Sequence, residues 1–416
     1  MITEAFSCKR GQNTIRGFVY RPEGTNLPLL IASHGFMSTN RTIKLEAKRL
    51  AEMGFAVVAC DFCGGSPQSK SDGKTTEMSV LTEVEDLLAI IDAAAKLDYV
   101  SGDDLTLCGF SQGGFVSAIV AAKLKERVKR LILFYPALCI PDDARSGRMM
   151  FARFDPNDLP DRIRCGPMTL GRCYPADVMD IDPYVLIQDY QGPVLLIHGT
   201  DDTIVSQRYI EQAFQTYLPS QGGTPSANCQ MVLIHRGNHG LSGPLGKKWL
   251  DYAFFAIEKF LQGKAPVLNV DVKLTKSVKS KHPGGKKVHV YFDGESNSPF
   301  FQGTVGDGAY DEQIFRMGLL KSCHAVYTIR GKDYKGQPCT VSVTNHMDAE
   351  KSRNWSRGWV PTVSSDSPNL EFLNKQQCEV YAEMRKTGPF IHIYADPQKI
   401  LIQTVNESLH DNSALD

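Results

Sequence analysis

The sequence has no apolar run approaching the ~20 residues that a helix needs to cross a bilayer. It also has no surplus of charge, since 46 lysines and arginines balance 46 aspartates and glutamates. The first absence argues against a helical membrane span. The second removes the field that would draw the chain to nucleic acid or to an anionic membrane. No internal repeat is visible, and the opening stretch from Met1 to Gly11 lacks the apolar core of a signal peptide, so a cytoplasmic location is expected. The eleven cysteines are odd in number and scattered, many inside apolar runs such as Ala59-Cys60, Leu107-Cys108 and Leu138-Cys139. Reduced, buried thiols are the simplest reading. Cys60-Asp-Phe-Cys63 is followed by no second Cys or His pair at zinc spacing, so neither a metal nor a cofactor is expected.

What is present is an ordinary globular composition, 42% hydrophobic and 22% charged, over 416 residues. That length favours two domains over one. The stretch with the clearest chemistry is Leu105-Thr-Leu-Cys-Gly-Phe-Ser-Gln-Gly-Gly114, which runs into the apolar segment Phe115–Ala122. It reads as strand, sharp turn and helix, with a G-x-S-x-G pattern at the bend. A nucleophile on so tight a turn needs small residues two before and two after it. The oxygen of Ser111 then stands clear, while the Gln112 N–H and the helix N-terminus point at the place where an oxyanion would form.

The flanking chain supplies a frame for that turn. Leu27–Ser33 is a continuous apolar strand ending in His34-Gly-Phe36, and Phe55–Cys60 is another, ending in Asp61. Such runs suit central parallel strands buried on both faces. A Gly/Ser/Lys-rich stretch to about Thr76 reads as a loose loop. Ser79–Leu97 has the apolar spacing of a long helix, and Val128–Tyr135 is a further strand. Strand and helix alternate, which builds an α/β fold with a mostly parallel sheet and helices on both faces. Residues 137–192 break the rhythm. Roughly 55 residues between consecutive strands are too many for a simple connection, and a lid over the strand C-terminal ends is expected there.

After the strand Val194–His198 comes Gly199-Thr-Asp-Asp202, and after Gln230–His235 comes Arg236-Gly-Asn-His239. The order Ser, Asp, His, each at a strand end, is the order of an α/β-hydrolase triad. His239 is preferred to His235 and His198 because it lies in a loop, free to face Ser111. Asp202 is preferred to Asp201, which would cap the next helix or face solvent.

These residues resemble the cinnamoyl (feruloyl) esterases of gut bacteria within the α/β-hydrolase superfamily. The resemblance covers about residues 25–262. It rests on His34-Gly-Phe, Asp61-Phe-x-Gly, Ser71-Asp-Gly73, Met78-Ser-Val-Leu-Thr-Glu-Val-Glu-Asp86, Gly109-Phe-Ser-Gln-Gly113, His198-Gly-Thr-Asp-Asp-Thr-Ile-Val-Ser206 and Asn238-His-Gly-Leu-Ser242. It implies Ser111, Asp202 and His239 as triad, with the Phe36 and Gln112 amides as oxyanion hole. It also implies that Asp143 and Tyr174 of the lid hold a phenolic hydroxyl of the substrate. Where the family has a lid glutamine, this chain has Met150, which offers apolar contact in place of a hydrogen bond. The loop after Asp61-Phe62 also departs, reading Cys-Gly-Gly-Ser-Pro.

Domain limits are therefore expected at 1–263 for the hydrolase, with its lid at about 137–192, 264–400 for a second domain, and 401–416 for a polar tail. Gln262–Val267 reads as the linker. The second domain has short alternating strands at Lys287–Phe292, Cys323–Ile329, Thr340–Asn345, Glu379–Lys386 and Phe390–Tyr394. Strands of that kind, with turn signals between them, suggest a small antiparallel barrel. The segments Phe300–Val305, Gly308–Asp311 and Tyr327–Tyr334 resemble a small β-barrel family of unknown function. Holding a sugar moiety, pairing two chains in a homodimer and bracing the hydrolase are the roles open to it. The leading expectation is a serine hydrolase of hydroxycinnamate esters, with a small-molecule ester as its only partner in the reaction. A general short-acyl carboxylesterase is the nearest alternative, and a non-catalytic hydrolase-fold scaffold with a ligand-binding barrel is the alternative from another class. Nothing marks a peptidase propeller or an N-terminal-amine site.

Overall fold

The computed structural model of the protein describes residues 1–218, 225–352 and 354–398, so the tail at 401–416 lies outside the described residues. The chain forms two compact units, one of residues 1–218 and 228–258, the other of residues 225–227 and 259–398.

In the first unit, strands β1 (Ile2–Arg10), β2 (Asn13–Arg21), β3 (Leu27–Ser33), β4 (Ala56–Asp61), β5 (Val100–Phe110) and β6 (Val128–Phe134) are interleaved with helices α1 (Lys44–Glu52), α2 (Val80–Ala94) and α3 (Gln112–Leu124). The segment after β6 holds α4 (Ile140–Arg145), hairpin strands β7 (Arg148–Met149) and β8 (Ala152–Arg153), a second hairpin of β9 (Arg162–Cys165) and β10 (Met168–Gly171), α5 (Cys173–Ala176) and α6 (Pro183–Ile187). Then come β11 (Val194–Gly199), α7 (Gln207–Tyr217), β12 (Cys229–Ile234) and α8 (Gly246–Leu261). The main sheet runs β1-β2-β4-β3-β5-β6-β11-β12. The β1–β2 and β2–β4 pairs are antiparallel and every later pair is parallel.

The continuous apolar runs become central strands because both of their faces are covered. Leu29, Ile31, Val58, Leu107, Leu131 and Leu133 pack in one core with Val84 and Leu87 of α2 and Phe115 and Ile119 of α3. The intervening Leu30, Val57, Ile132 and Phe134 point the other way and are equally buried. On that side α1 and α8 are joined by Arg49, whose guanidinium lies 4.1 Å above the Phe254 ring and 3.1 Å from Asp251.

The stretch after β4, expected as a loose loop, is instead pinned from both ends. Asp61 accepts hydrogen bonds from the Asn40 and Lys70 amides at 2.8 and 2.7 Å, and Ser71 donates to the Asp61 carbonyl at 2.6 Å. Buried Asp86 accepts from the Cys63 amide at 2.7 Å and pairs with Arg10. Glycine and serine content misled here because side-chain-to-backbone bonds took the place of regular structure. The 137–192 insertion docks on the end of this stretch. Thr75 donates to the Thr169 carbonyl at 2.6 Å, and a Cβ on Gly171 would come within 1.9 Å of the Thr76 carbonyl oxygen.

The second unit is an antiparallel barrel. Its strands are β13 (Ala265–His282), β14 (Gly285–Asn297), β15 (Phe301–Val305), β16 (Tyr310–Arg316), β17 (Leu319–Asp333), β18 (Pro338–Asp348), β19 (Trp359–Ser365), β20 (Glu379–Met384) and β21 (Pro389–Ala395). Their order is β19-β18-β17-β15-β14-β13-β21-β20, with β16 bridging β14 and β17, and β19 lies against β20. Alternation sets the inner face. Tyr327, Ile329, Val341, Val343, Val363, Ile391 and Ile393 form the core, and Trp355 and Trp359 pack against it. The expected linker is not one. The chain leaves α8 at Leu261 and is already in β13 at Ala265, with Pro266 at the strand's second residue. Among the described residues no helix is long and apolar enough to cross a membrane.

Candidate active site

Ser111 is where β5 turns into α3. Its backbone sits at φ +53° and ψ −119°, outside the regions that an L-residue favours, at a cost of about 1–3 kcal/mol. Two glycines make the bend sterically possible. A Cβ on Gly109 would lie 2.3 Å from the Gly113 carbonyl oxygen, and one on Gly113 would lie 2.3 Å from the carbonyl oxygens of both Ser33 and His34. The turn is held by bonds from the Ser111 amide to the Phe134 carbonyl and from the Ala137 amide to the Ser111 carbonyl, each 2.9 Å.

The loops after β11 and β12 bring the other two groups to this turn. The Asp201 amide donates to the Gly237 carbonyl at 2.9 Å, and the Thr200 amide to the Ile234 carbonyl at 3.0 Å, so the two loops are stitched together. Asn238 closes the second loop onto Ser242 with bonds of 3.1 and 2.9 Å. His239 then stands with Nδ1 2.8 Å from Asp202 Oδ2 and Nε2 3.0 Å from Ser111 Oγ. The second Asp202 oxygen accepts from the Ile204 and Val205 amides at 2.8 and 2.9 Å. Burial opposes charge on this carboxyl, but the His239 bond and the two amides outweigh it and hold its pKa below the ordinary value. Asp201, by contrast, has an exposed side chain near Arg236.

His198 is fully buried, and burial holds its pKa below the ordinary value. It donates from Nε2 to the Val205 carbonyl at 3.0 Å and lies 3.7 Å from Asp202. His235 is exposed just beyond β12, not packed as an apolar strand end would suggest. Chemically, the Ser111–His239–Asp202 arrangement is a hydroxyl within reach of a base whose far nitrogen is fixed by a carboxylate.

His34-Gly-Phe36 passes directly against Ser111, since a Cβ on Gly35 would lie 3.0 Å from the Ser111 Cβ. Buried His34 steadies this turn. Its Nδ1 donates to the Gly35 carbonyl at 2.9 Å and its Nε2 accepts from the Phe62 amide at 3.1 Å, a pattern that requires the neutral ring. Burial pushes its pKa down accordingly. Gln112 opens α3, where the first-turn N–H groups have no partner within the helix. Its side chain is wholly buried. Nε2 donates to Glu83 Oε2 at 2.8 Å, and Oε1 accepts from the Tyr174 hydroxyl.

The substrate-binding candidates are placed unequally. Tyr174, on α5, is buried 5.3 Å from the Phe36 ring, and its proton is committed to Gln112. Asp143, on α4, is half-buried beside Cys139, and burial raises its pKa. Met150 is at the turn of the β7–β8 hairpin at φ +50°, with its side chain exposed, and Met149 is the buried methionine of that hairpin. Sequence reasoning missed Glu83, Tyr135 and the structural work of His34. Tyr135 follows β6 at φ +38°, with its ring 4.7 Å from that of His239. Its position at a strand C-terminal end was the signal that could have found it.

Comparison with known proteins accords with this geometry. A family model for serine aminopeptidases of the S33 type matches residues 25–162. Est1E from Butyrivibrio proteoclasticus, solved with ferulic acid bound, is 27% identical with a TM-score of 0.53, and the match covers 61% of this chain and 99% of that one. A second structure of Est1E gives 25% and 0.51 over the same shares. The first unit has the α/β-hydrolase fold. Among curated proteins, the human acylamino-acid-releasing enzyme is 23% identical over 235 residues, 53% of this chain and 30% of that protein. An Escherichia coli 31.7 kDa protein from the traX–finO intergenic region, itself uncharacterized, is 31% identical over 113 residues, 27% of this chain and 38% of that protein. The chain thus spans less than half the length of these curated relatives.

Proposed function

We propose that the hydrolase unit is a serine carboxylic-ester hydrolase working through an acyl-enzyme on Ser111. The observation that carries this is the pair of contacts from His239, 3.0 Å to Ser111 Oγ and 2.8 Å to Asp202. In the first step His239 Nε2 takes the Ser111 proton as Oγ attacks the ester carbonyl. Asp202 keeps Nδ1 protonated and offsets the charge on the imidazolium. The carbonyl oxygen, now negative, is received by the Phe36 and Gln112 amides, each such donor contributing about 3–4 kcal/mol in serine hydrolases. His239 returns the proton to the departing alkoxide, and water clears the acyl group by the same route. The strained Ser111 backbone keeps Oγ in place throughout, so little reorganisation is needed.

For the acyl group we propose a hydroxycinnamate. Est1E, with ferulic acid bound, is the relative that motivates this. Asp143 is the acceptor for a phenolic hydroxyl. Tyr174 can also accept one, since its own proton goes to Gln112. The insertion that carries both residues serves as the lid, and Met150 adds apolar contact at its rim. The test is KM on methyl ferulate against p-nitrophenyl butyrate for wild type and Asp143→Leu. A lost charged hydrogen bond, about 1.5–3 kcal/mol, should raise KM for the ferulate by about tenfold or more and move the butyrate little. Equal changes on both esters would refute the phenolic assignment and favour a general short-acyl esterase.

A further inference from the structure

Behind the oxyanion site runs a line of three buried polar side chains that the triad mechanism does not use. Glu83 of α2, Gln112 of α3 and Tyr174 of α5 are 1%, 0% and 2% exposed. Each comes from a different element, and the middle one carries a candidate oxyanion donor on its own backbone. Gln112 is held at both ends of its amide, giving a hydrogen to Glu83 at 2.8 Å and taking one from Tyr174. Met78 Sδ, 3.9 Å from Gln112 Nε2, packs alongside.

This is a costly arrangement for packing alone. An apolar side chain at position 83 would fill the same space with no polar group to desolvate. Among the described residues Glu83 Oε1 has no hydrogen-bond partner, and Oε2 is the oxygen that holds Gln112. Burial also pushes its pKa well above the ordinary carboxyl value, against the Gln112 bond, which favours the charged form.

We propose that Glu83, Gln112 and Tyr174 form a positioning chain that sets the Gln112 N–H toward the developing oxyanion and makes that setting depend on the seating of the 137–192 insertion. The inference rests on the ester-hydrolase reading above. Gln112 is the first residue of α3, and a side chain free to rotate there would let the helix start shift relative to Ser111. Tyr174 supplies the link to the insertion, which is also clamped to the preceding segment by the Thr75–Thr169 bond and by Ser79, which donates to Asp177. Tyr174 therefore acts on esters whether or not they carry a phenol.

The experiment is steady-state kinetics on p-nitrophenyl acetate, which has no acyl-side phenol, for Tyr174→Phe, Glu83→Met and Glu83→Gln, with Ser111→Ala as reference. A misplaced donor costs less than a deleted one, so Tyr174→Phe and Glu83→Met should each lower kcat by about 10–100-fold with KM within about twofold. Glu83→Gln, which can still accept from Gln112, should recover most of kcat. Wild-type kcat in both Tyr174→Phe and Glu83→Met, or a loss confined to KM, would overturn the chain. If Glu83→Met fails to fold, Tyr174→Phe, which removes a single oxygen, decides alone. Wild-type turnover that survives in Ser111→Ala would overturn the ester-hydrolase reading itself, and that outcome is distinguished by Ser111→Ala.

Discussion

Asp202→Asn is the substitution whose effect the geometry specifies most fully. One Asp202 oxygen accepts from the Ile204 and Val205 amides, and the other faces His239 Nδ1 at 2.8 Å. An asparagine must give its single oxygen to the two amides, because they can only donate. Its NH2 group is then turned to His239. Nδ1 must accept rather than donate, so the proton moves to Nε2, which faces Ser111 Oγ at 3.0 Å. The base is lost without any change of shape. His198 offers no escape, because its Nε2 is committed to the Val205 carbonyl. A wrong-tautomer histidine in a serine triad costs about 10⁴-fold in kcat, or ~5.4 kcal/mol of barrier. The assay is kcat on p-nitrophenyl butyrate at neutral pH, alongside a thermal melt to establish that the fold is kept. Asp201→Asn, at an exposed side chain, is the matched control and should fall by less than about threefold, the order of a surface change. A loss below about tenfold in a folded Asp202→Asn protein, or an equal loss in both variants, would rule out Asp202 as the carboxylate that orients His239.

Gly113→Ala should destabilise the hydrolase unit by about 3 kcal/mol or more in a denaturant melt, because its Cβ meets two backbone oxygens that cannot move aside; wild-type stability would contradict the close approach. Burial raises the Glu83 pKa, so folding favours its protonated form, and the stability it contributes is lost as pH rises from about 4.5 toward the folded value. The melting temperature of Glu83→Gln relative to wild type should therefore climb as pH rises above about 4.5, and a constant difference would contradict the upward shift. In the barrel, burial works against the Asp333 charge, but bonds from Asn369, Ser367 and the Gln337 and Lys335 amides hold its pKa at about 2. Its contribution should be complete above pH 3.8 and fade toward about 2. Asp333→Ala should cost about 3 kcal/mol at pH 7 and much less near pH 2, and a loss independent of pH would point to packing alone.

Much of the hydrolase frame was legible because its signals are local. The apolar runs at β3, β4, β5, β6 and β11 are continuous, and Gly109 and Gly113 mark the elbow by their spacing alone. The meeting of Asp202 and His239 with Ser111 could be expected from their strand-end positions. What escaped depends on partners distant in sequence. The loop after Asp61 reads as loose until Asp61 and Asp86 are seen to hold its backbone. The Glu83–Gln112–Tyr174 line joins residues 29 and 62 positions apart, and no periodicity announces it. Strand β13 was obscured by Gln262-Gly-Lys-Ala-Pro266, whose glycine and proline suggest a linker but which precede and open a strand. Met150, where the resemblance puts a lid glutamine, is carried to the surface by a hairpin turn.

The role of Ser111 as nucleophile is open to covalent trapping. The protein would be incubated with a stoichiometric amount of diethyl p-nitrophenyl phosphate, digested and mapped by peptide mass. One diethylphosphoryl group is expected, on Ser111, with esterase activity lost in step with labelling and no labelling in His239→Ala. A label on another residue with Ser111 unmodified, or full activity after Ser111 is labelled, would contradict it.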